Sequence, residues 1–278
     1  MRVLITGITG MVGSHLADYI LEHHPSVEVH GLIRWRSPLD NIRGIESKIV
    51  LHQAELRDLN SLVCLLRKVQ PDWIFHLAAQ SYVTVSFDAP ADTIHTNVIG
   101  TVNLLDAARM TGLDPRVHIC SSSEVYGQVT EDEVPIRETN PFRPASPYAV
   151  SKTGEDMVAL QYFLSYGIKT IRTRMFTHTG PRRGDVFAES AFAKQIAEIE
   201  AGVRSNPVRV GNLKSVRTIA DVRDAVRAYW MLLDKCEPGE VYNIGGNRTV
   251  EVGDILEMLK GLATCKIEHV VDPALLRP

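Results

Sequence analysis

The opening stretch RVLITGITGMVG, Arg2 to Gly13, constrains the chain more than any other. Arg2 to Thr6 reads as a short buried strand, and apolar residues at Val12, Leu16, Tyr19 and Ile20 recur at helical spacing. Between the two stand glycines at 7, 10 and 13. A strand, a glycine turn and a helix in direct succession make a dinucleotide fingerprint of the GxxGxxG type. The glycines let the backbone approach a pyrophosphate and let the helix pack closely on the strand, while the N–H groups of the helix start face the anion.

The rest of the chain continues that rhythm. Strands are predicted at Val27–Ile33, Ile49–His52, Asp72–Leu77, Val117–Cys120 and Thr170–Arg174, with helices at Leu59–Val69 and Thr93–Met110 among them. Such alternation implies an α/β fold of Rossmann type, a doubly wound, mostly parallel sheet covered on both faces. The second strand ends in LIRWRS, with no acid before Asp40. An acid there would hold a ribose 2′-hydroxyl, whereas Arg34 and Arg36 with Ser37 suit a 2′-phosphate, so NADP(H) is the expected cofactor. The fourth strand runs into HLAAQSYV, where small Ala78 and Ala79 would let the cofactor lie against the backbone. From about residue 176 the pattern is less regular: helices at Phe187–Ala201, Val222–Leu233 and Val252–Leu262, strands at Val208–Val210 and Val241–Ile244. We expect a dinucleotide domain over 1–175 and a smaller substrate lobe over 176–278, interleaved with the sheet.

Two further stretches carry chemistry. In SPYAVSK, Ser146 can cap a helix whose first residue is Pro147, which puts Tyr148 and Lys152 four apart on one face. A nearby ammonium favours a phenolate, so Tyr148 is expected to fall from about 10 toward neutrality and to exchange a proton near pH 7. In SSSEVYG, Ser121, Ser122 and Ser123 end the fifth strand, at the carboxyl edge where α/β sheets bind ligands.

The totals exclude other classes. With 278 residues, 45% hydrophobic, and a net charge of −3, neither a nucleic-acid surface nor a membrane surface is indicated. No apolar run approaches the roughly 20 residues of a membrane helix. Cys64, Cys120, Cys236 and Cys265 lie far apart without metal spacing, and the ten histidines form no HExxH cluster. Reduced thiols, a cytoplasmic location and no structural metal are expected.

GITGMVG, HLAAQS, SSSEVYG and SPYAVSK, in this order, resemble the extended short-chain dehydrogenase/reductase superfamily, nucleotide-sugar branch, over nearly the whole chain. AAQSYVTVSF, FTHTGPRRG, VGNL and the terminal LRP are similar to the GDP-mannose 4,6-dehydratases and the GDP-4-keto-6-deoxy-D-mannose reductases. The resemblance implies that Gly7, Thr9, Gly10, Met11, Val12 and Gly13 line the pyrophosphate and that Arg34 and Arg36 hold the 2′-phosphate. Glu55 and Leu56 would reach the adenine, and Leu77, Ala78 and Ala79 would flank the cofactor. Ser122, Tyr148 and Lys152 would form the catalytic set, with Tyr148 and Lys152 also touching the cofactor, and Glu124 would stand where a dehydratase keeps its C5 base. Ser122, Glu124, Tyr148, His178, Arg183, Lys194, Asn212, Arg217 and Arg277 would contact a GDP-hexose. It also implies a homodimer or homotetramer through the helices at Thr93–Met110 and Tyr148–Ser165.

Several positions depart from the family pattern. Thr177 stands for an asparagine, Thr218-Ile219 for an Asp-aromatic pair, Glu55-Leu56 for an Asp-hydrophobic pair and Ser122 for the dehydratase threonine. The family also continues beyond LRP with a C-terminal helix that this sequence does not include. TNVIGTVNLLDAAR, FAKQIAEIE, EVYNIGG and DPALLRP favour a reductase acting at the C4 ketone. Glu124 and PRRG keep the dehydratase open, with a nucleotide-sugar epimerase or decarboxylase behind it. A non-catalytic NADP-binding sensor is the contrasting class; such proteins commonly lose the tyrosine or the lysine, and here both stand.

Overall fold

A computed structural model describes residues 1–276. The chain forms two compact units, Met1–Phe176 with Val222–Ile244, and Thr177–Asp221 with Gly245 onward. In chain order the first unit begins with β1 (Arg2–Thr6), α1 (Met11–His23), β2 (Glu28–Ile33), β3 (Val50–Gln53), α2 (Leu59–Val69) and β4 (Trp73–His76). It continues with α3 (Val83–Asp88), α4 (Pro90–Ile94), a π-helical turn over His95–Ile99, α5 (Gly100–Thr111), β5 (Arg116–Ser122), α6 (Pro147–Tyr166) and β6 (Thr170–Met175). The chain then supplies β7 (His178–Thr179), α7 (Ala188–Glu200), β8 (Val208–Val210), β9 (Val216–Thr218) and β10 (Ala220–Asp221) to the second unit. It returns to the first with α8 (Val222–Lys235) and β11 (Val241–Ile244), and ends in the second with β12 (Thr249–Glu251), α9 (Val252–Leu262) and β13 (His269–Val271).

Seven parallel strands make the central sheet, in the order β11-β6-β5-β4-β1-β2-β3. Strand order reverses between β1 and β4, and such a switch point leaves a crevice at the carboxyl ends of the strands. Leu4, Ile74, Val117 and Ile119 are wholly buried and share a core with Leu62 and Leu66 of α2 and Leu104 and Leu105 of α5. On the other face α8 packs on α1, where the Trp230 indole stacks on His24 at 4.0 Å.

One expectation is corrected. Val222–Ile244, assigned by sequence to the smaller lobe, belongs to the first unit, because β11 pairs with β6 and α8 covers α1. The helix expected over Thr93–Met110 is present, and a π-helical turn within it carries the buried Asn97. An extra residue per turn re-aims a side chain, and such turns concentrate at functional sites. In the second unit, α7, α9, β8 and β13 enclose Phe192, Ile196, Val208, Val210 and Leu256.

Candidate active site

The glycine turn meets the carboxyl end of β4 at the switch point. Gly7 lies at φ +72°, and a Cβ there would stand 2.9 Å from the backbone of Ala78; one on Gly13 would stand 2.3 Å from the Gly7 carbonyl. These glycines are therefore required by close backbone approach, not by flexibility alone. The Thr6 hydroxyl accepts from the amides of Leu77 and Ala78, both at 3.1 Å, and so gives its own proton to His76 Nδ1 at 2.8 Å. The Thr101 hydroxyl donates to the Asn97 carbonyl at 2.7 Å, so it accepts from His76 Nε2 at 3.0 Å. His76 is thus neutral with its proton on Nε2, and burial followed by the charge of Lys152 pushes its pKa down to about 3.

The start of α1 has no side-chain cap and no acid in its first turn. Its amides and the glycine cradle fit a pyrophosphate, which needs free N–H donors and room at the backbone. Asn41 braces this turn by donating to the Thr9 carbonyl at 2.9 Å. Met11 and Val12 begin the helix itself. Beyond β2, the Ser37 hydroxyl accepts from the Arg34 amide at 2.9 Å in a tight turn, both arginines are exposed, and the Arg36 guanidinium lies over the Trp35 ring at 4.4 Å. Two cations at this strand end fit a phosphate ester. Glu55 makes an ion pair with Arg57 at 3.5 Å. Leu56 is buried and packs beneath Gly100.

The catalytic set comes together on β5 and α6. Ser146 accepts from the Ala149 amide at 3.1 Å and Pro147 opens the helix, as the sequence predicts. Lys152 is buried, and its ammonium donates to the Cys120 carbonyl at 2.9 Å and to Glu155 Oε2 at 3.0 Å. It lies 5.9 Å from the centre of the Tyr148 ring. Ser122 accepts from the Glu124 amide at 3.2 Å, and its hydroxyl favours the charged form of the Tyr148 phenol; Glu124 sits on the turn Ser123–Tyr126. Gly127 closes that turn at φ +61°, with a would-be Cβ 1.9 Å from the Arg143 carbonyl.

The expected fall of the Tyr148 pKa is corrected by the structure. Burial pushes the phenol up, with Cys120 and Glu155 acting in the same direction, and outweighs the pull of Lys152 and Ser122. Burial also works against the Lys152 ammonium, yet Glu155, Tyr148 and Cys120 together hold it above the ordinary lysine value. Burial raises the Glu155 carboxyl to about 7 despite Lys152, and its Oε1 is buried without a hydrogen-bond partner. Attraction within the pair thus outweighs burial for the cation and not for the acid.

The remaining predicted contacts belong to the second unit. The His178 carbonyl in β7 accepts from Arg183 at 2.6 Å, Arg183 pairs with Glu189 at 3.1 Å, and Lys194 of α7 pairs with Asp185 at 2.5 Å. Asn212 accepts from the Lys214 amide at 3.0 Å, and Arg217 lies on β9. Arg277 lies outside the described residues.

Sequence reasoning missed Glu155, although an acid three residues after Lys152 on one helix was a visible signal. It gave Asn97 no role. Asn97 Oδ1 accepts from the Gln80 amide at 2.7 Å, and Nδ2 donates to the Gln80 carbonyl at 3.0 Å and to Ser151 at 2.8 Å. It also missed the buried Asp156, which binds Arg172 and Arg174 of β6, each at 2.8 Å.

The comparisons with known proteins agree with this geometry. The family model described as GDP-mannose 4,6 dehydratase matches residues 4–273. A GDP-mannose 4,6-dehydratase of Yersinia enterocolitica is 36% identical, over 96% of this chain and 73% of its own. A GDP-6-deoxy-D-mannose reductase of Pseudomonas aeruginosa is 34% identical, over 99% of this chain and 84% of its own. The solved structure of RMD from Pseudomonas aeruginosa, complexed with NADPH, superposes with a TM-score of 0.85 at 33% identity, covering 99% of this chain and 86% of that one. From the glycine turn to the Tyr148–Lys152 pair, and by sequence along almost its whole length, the chain belongs to the GDP-mannose 4,6-dehydratase family.

Proposed function

We propose that the chain is an NADP(H)-dependent oxidoreductase acting at C4 of a GDP-hexose, reducing the ketone of GDP-4-keto-6-deoxy-D-mannose. The observation that carries this reading is the placing of Tyr148 and Lys152 on the capped start of α6, the Lys152 ammonium 5.9 Å from the centre of the Tyr148 ring, with the phenol kept protonated by burial. NADPH, when bound, supplies the hydride that adds to C4. Tyr148 gives its proton to O4 as the carbonyl becomes an alcohol, and the Ser122 hydroxyl steadies the same oxygen. Lys152 has three N–H donors, two of them committed to Cys120 and Glu155, which leaves one for the nicotinamide ribose.

Gly7, Thr9, Gly10, Met11, Val12 and Gly13 hold the pyrophosphate, Arg34 and Arg36 the 2′-phosphate, Glu55 and Leu56 lie by the adenine, and Leu77, Ala78 and Ala79 flank the cofactor. His178, Arg183, Lys194, Asn212, Arg217 and Arg277 take the GDP-hexose, where guanidinium forks suit a diphosphate. Ile99, Met110, Val150, Met157 and Leu164 are exposed apolar residues on or beside α5 and α6, which supports a homodimer or homotetramer through those helices. No described helix is long and apolar enough to cross a membrane, and the free thiols suit a reducing compartment such as the cytoplasm.

Glu124 beside Ser122 supports the second reading, a GDP-mannose 4,6-dehydratase, because that reaction needs a carboxylate to take the C5 proton. Incubation decides between them. Oxidation of NADPH only when the 4-keto sugar is supplied is the expected outcome; a 4-keto-6-deoxy product from GDP-mannose without added NADPH overturns the reductase.

A further inference from the structure

Among the described residues, Glu155 is the one acid paired with the Lys152 ammonium. Its side chain is 1% exposed and that of Lys152 is 7% exposed, at a separation of 3.0 Å. A buried ion pair is a poor source of stability, because taking both charges out of water offsets most of their attraction. Such a pair calls for another explanation, and the groups around it supply one.

From α6, Tyr148 and Asp156 face the pair; from β5, Cys120 and His118; from β4, His76; and from α8, Tyr229, which reaches Cys120. Asp156 is held by Arg172 and Arg174, and the two histidines are neutral. Tyr229 is buried and Cys120 half-buried, and desolvation pushes both toward their uncharged forms. Lys152 and Glu155 are therefore the two opposite charges that act on the Tyr148 hydroxyl without compensation from other partners.

We infer that Glu155 is a positioning residue of the active centre: its carboxylate fixes the Lys152 ammonium against the Cys120 carbonyl and balances its charge, so that Tyr148 meets the substrate as a neutral proton donor. The inference rests on the proposed reduction for its consequence, since a reductase needs the protonated phenol at the start of the step. A lysine without this counter-charge would pull the phenol toward phenolate and suit the reverse, oxidative direction.

The test uses the full-length protein and needs no sugar. The Tyr148 phenol is titrated by ultraviolet difference spectroscopy against a Tyr148→Phe reference, with and without NADPH. The phenol titrates well above the range in which Glu155 gains its proton, so the carboxylate is charged throughout. Glu155→Gln is expected to lower the Tyr148 midpoint by roughly one pH unit. An unchanged midpoint in a folded Glu155→Gln protein overturns the inference. Because this variant leaves an unpaired buried cation and can fail to fold, Lys152→Met/Glu155→Gln, which removes both charges, is titrated as well. Its midpoint should lie close to that of the unaltered protein, and a midpoint raised by roughly one pH unit or more, as loss of the cation alone would give, overturns the inference equally. Failure of the C4 reduction assay with the midpoint shift present would sink the reductase reading and leave the role of Glu155 standing.

Discussion

Asn97 donates to the Ser151 hydroxyl at 2.8 Å, joining residues 54 apart in sequence and tying the π-helical turn to the helix that carries Tyr148. Ser151 in turn donates to the Tyr148 carbonyl at 2.7 Å. Through its other two bonds the same amide fixes the backbone of Gln80. Asn97→Leu keeps the volume and strands those groups, each of which costs about 1–3 kcal/mol when buried unsatisfied. Urea unfolding should show a loss of about 2–4 kcal/mol. Turnover should fall further than the sugar KM rises, because the phenol is displaced rather than the substrate contacts.

Tyr148→Phe removes the proton donor and leaves the ring. Turnover at the C4 ketone is expected to drop roughly 100- to 10,000-fold. NADPH affinity, followed by fluorescence, should remain close to that of the unaltered protein. Activity that survives the change would remove the catalytic assignment.

Arg34 and Arg36 stand exposed at the end of β2. If they grip the 2′-phosphate, Arg34→Ala/Arg36→Ala should weaken NADPH binding by roughly 10- to 100-fold, the worth of one or two charge-assisted bonds, and leave NADH binding nearly unchanged. Equal losses for both nucleotides in calorimetry would refute the 2′-phosphate role.

Gly13→Ala places a Cβ 2.3 Å from the Gly7 carbonyl and 2.7 Å from the Ile8 Cα. Both neighbours are backbone, so the turn itself has to open. NADPH binding should be abolished while the far-ultraviolet circular dichroism stays native-like.

Acid should weaken the fold in two stages. His76 and His118, each pushed down to about 3 chiefly by burial, stay neutral when folded and titrate near 6.5 when unfolded. Their contribution is therefore complete above 6.5 and is lost as the pH falls toward 3, at roughly 1.4 kcal/mol per unit for each. Glu155 acts oppositely, because its folded value near 7 lies above its unfolded value of 4.5, so folding takes up a proton between the two. Among these three groups the unfolded state binds one net proton more between 6.5 and 4.5, and two below 4.5. Denaturation midpoints measured from pH 7 to pH 3.5 should decline and then steepen. In Glu155→Gln the two-proton slope should already appear at pH 6.

What the sequence disclosed was local. Gly7 to Gly13 between a strand and a helix, and Ser146-Pro147 ahead of Tyr148 and Lys152, carry their geometry within a dozen residues, so spacing sufficed. What escaped depends on partners far away in the chain. Asn97 looked like one more position on a long helix until Gln80 and Ser151 claimed its amide, and Asp156 gave no sign that two arginines of β6 would neutralise it. The Tyr148 error has the same origin. Counting four residues to Lys152 reveals a cation, whereas burial, the larger influence on the phenol, is a property of the assembled sheet. The expected boundary at 175/176 lies one residue from the end of the first segment, but the return of Val222–Ile244 to that unit was not legible, because β11 finds its place through pairing with β6 and no residue near 241 announces that.

That late strand has a consequence for synthesis. Residues 1–176 alone lack both the helix that covers α1 and the ladder partner of β6, so a nascent chain of that length exposes an unsatisfied strand edge. The first unit is complete only once residue 244 has been made. Shortening the gene at the apparent end of that half would yield an aggregating fragment, not a minimal domain.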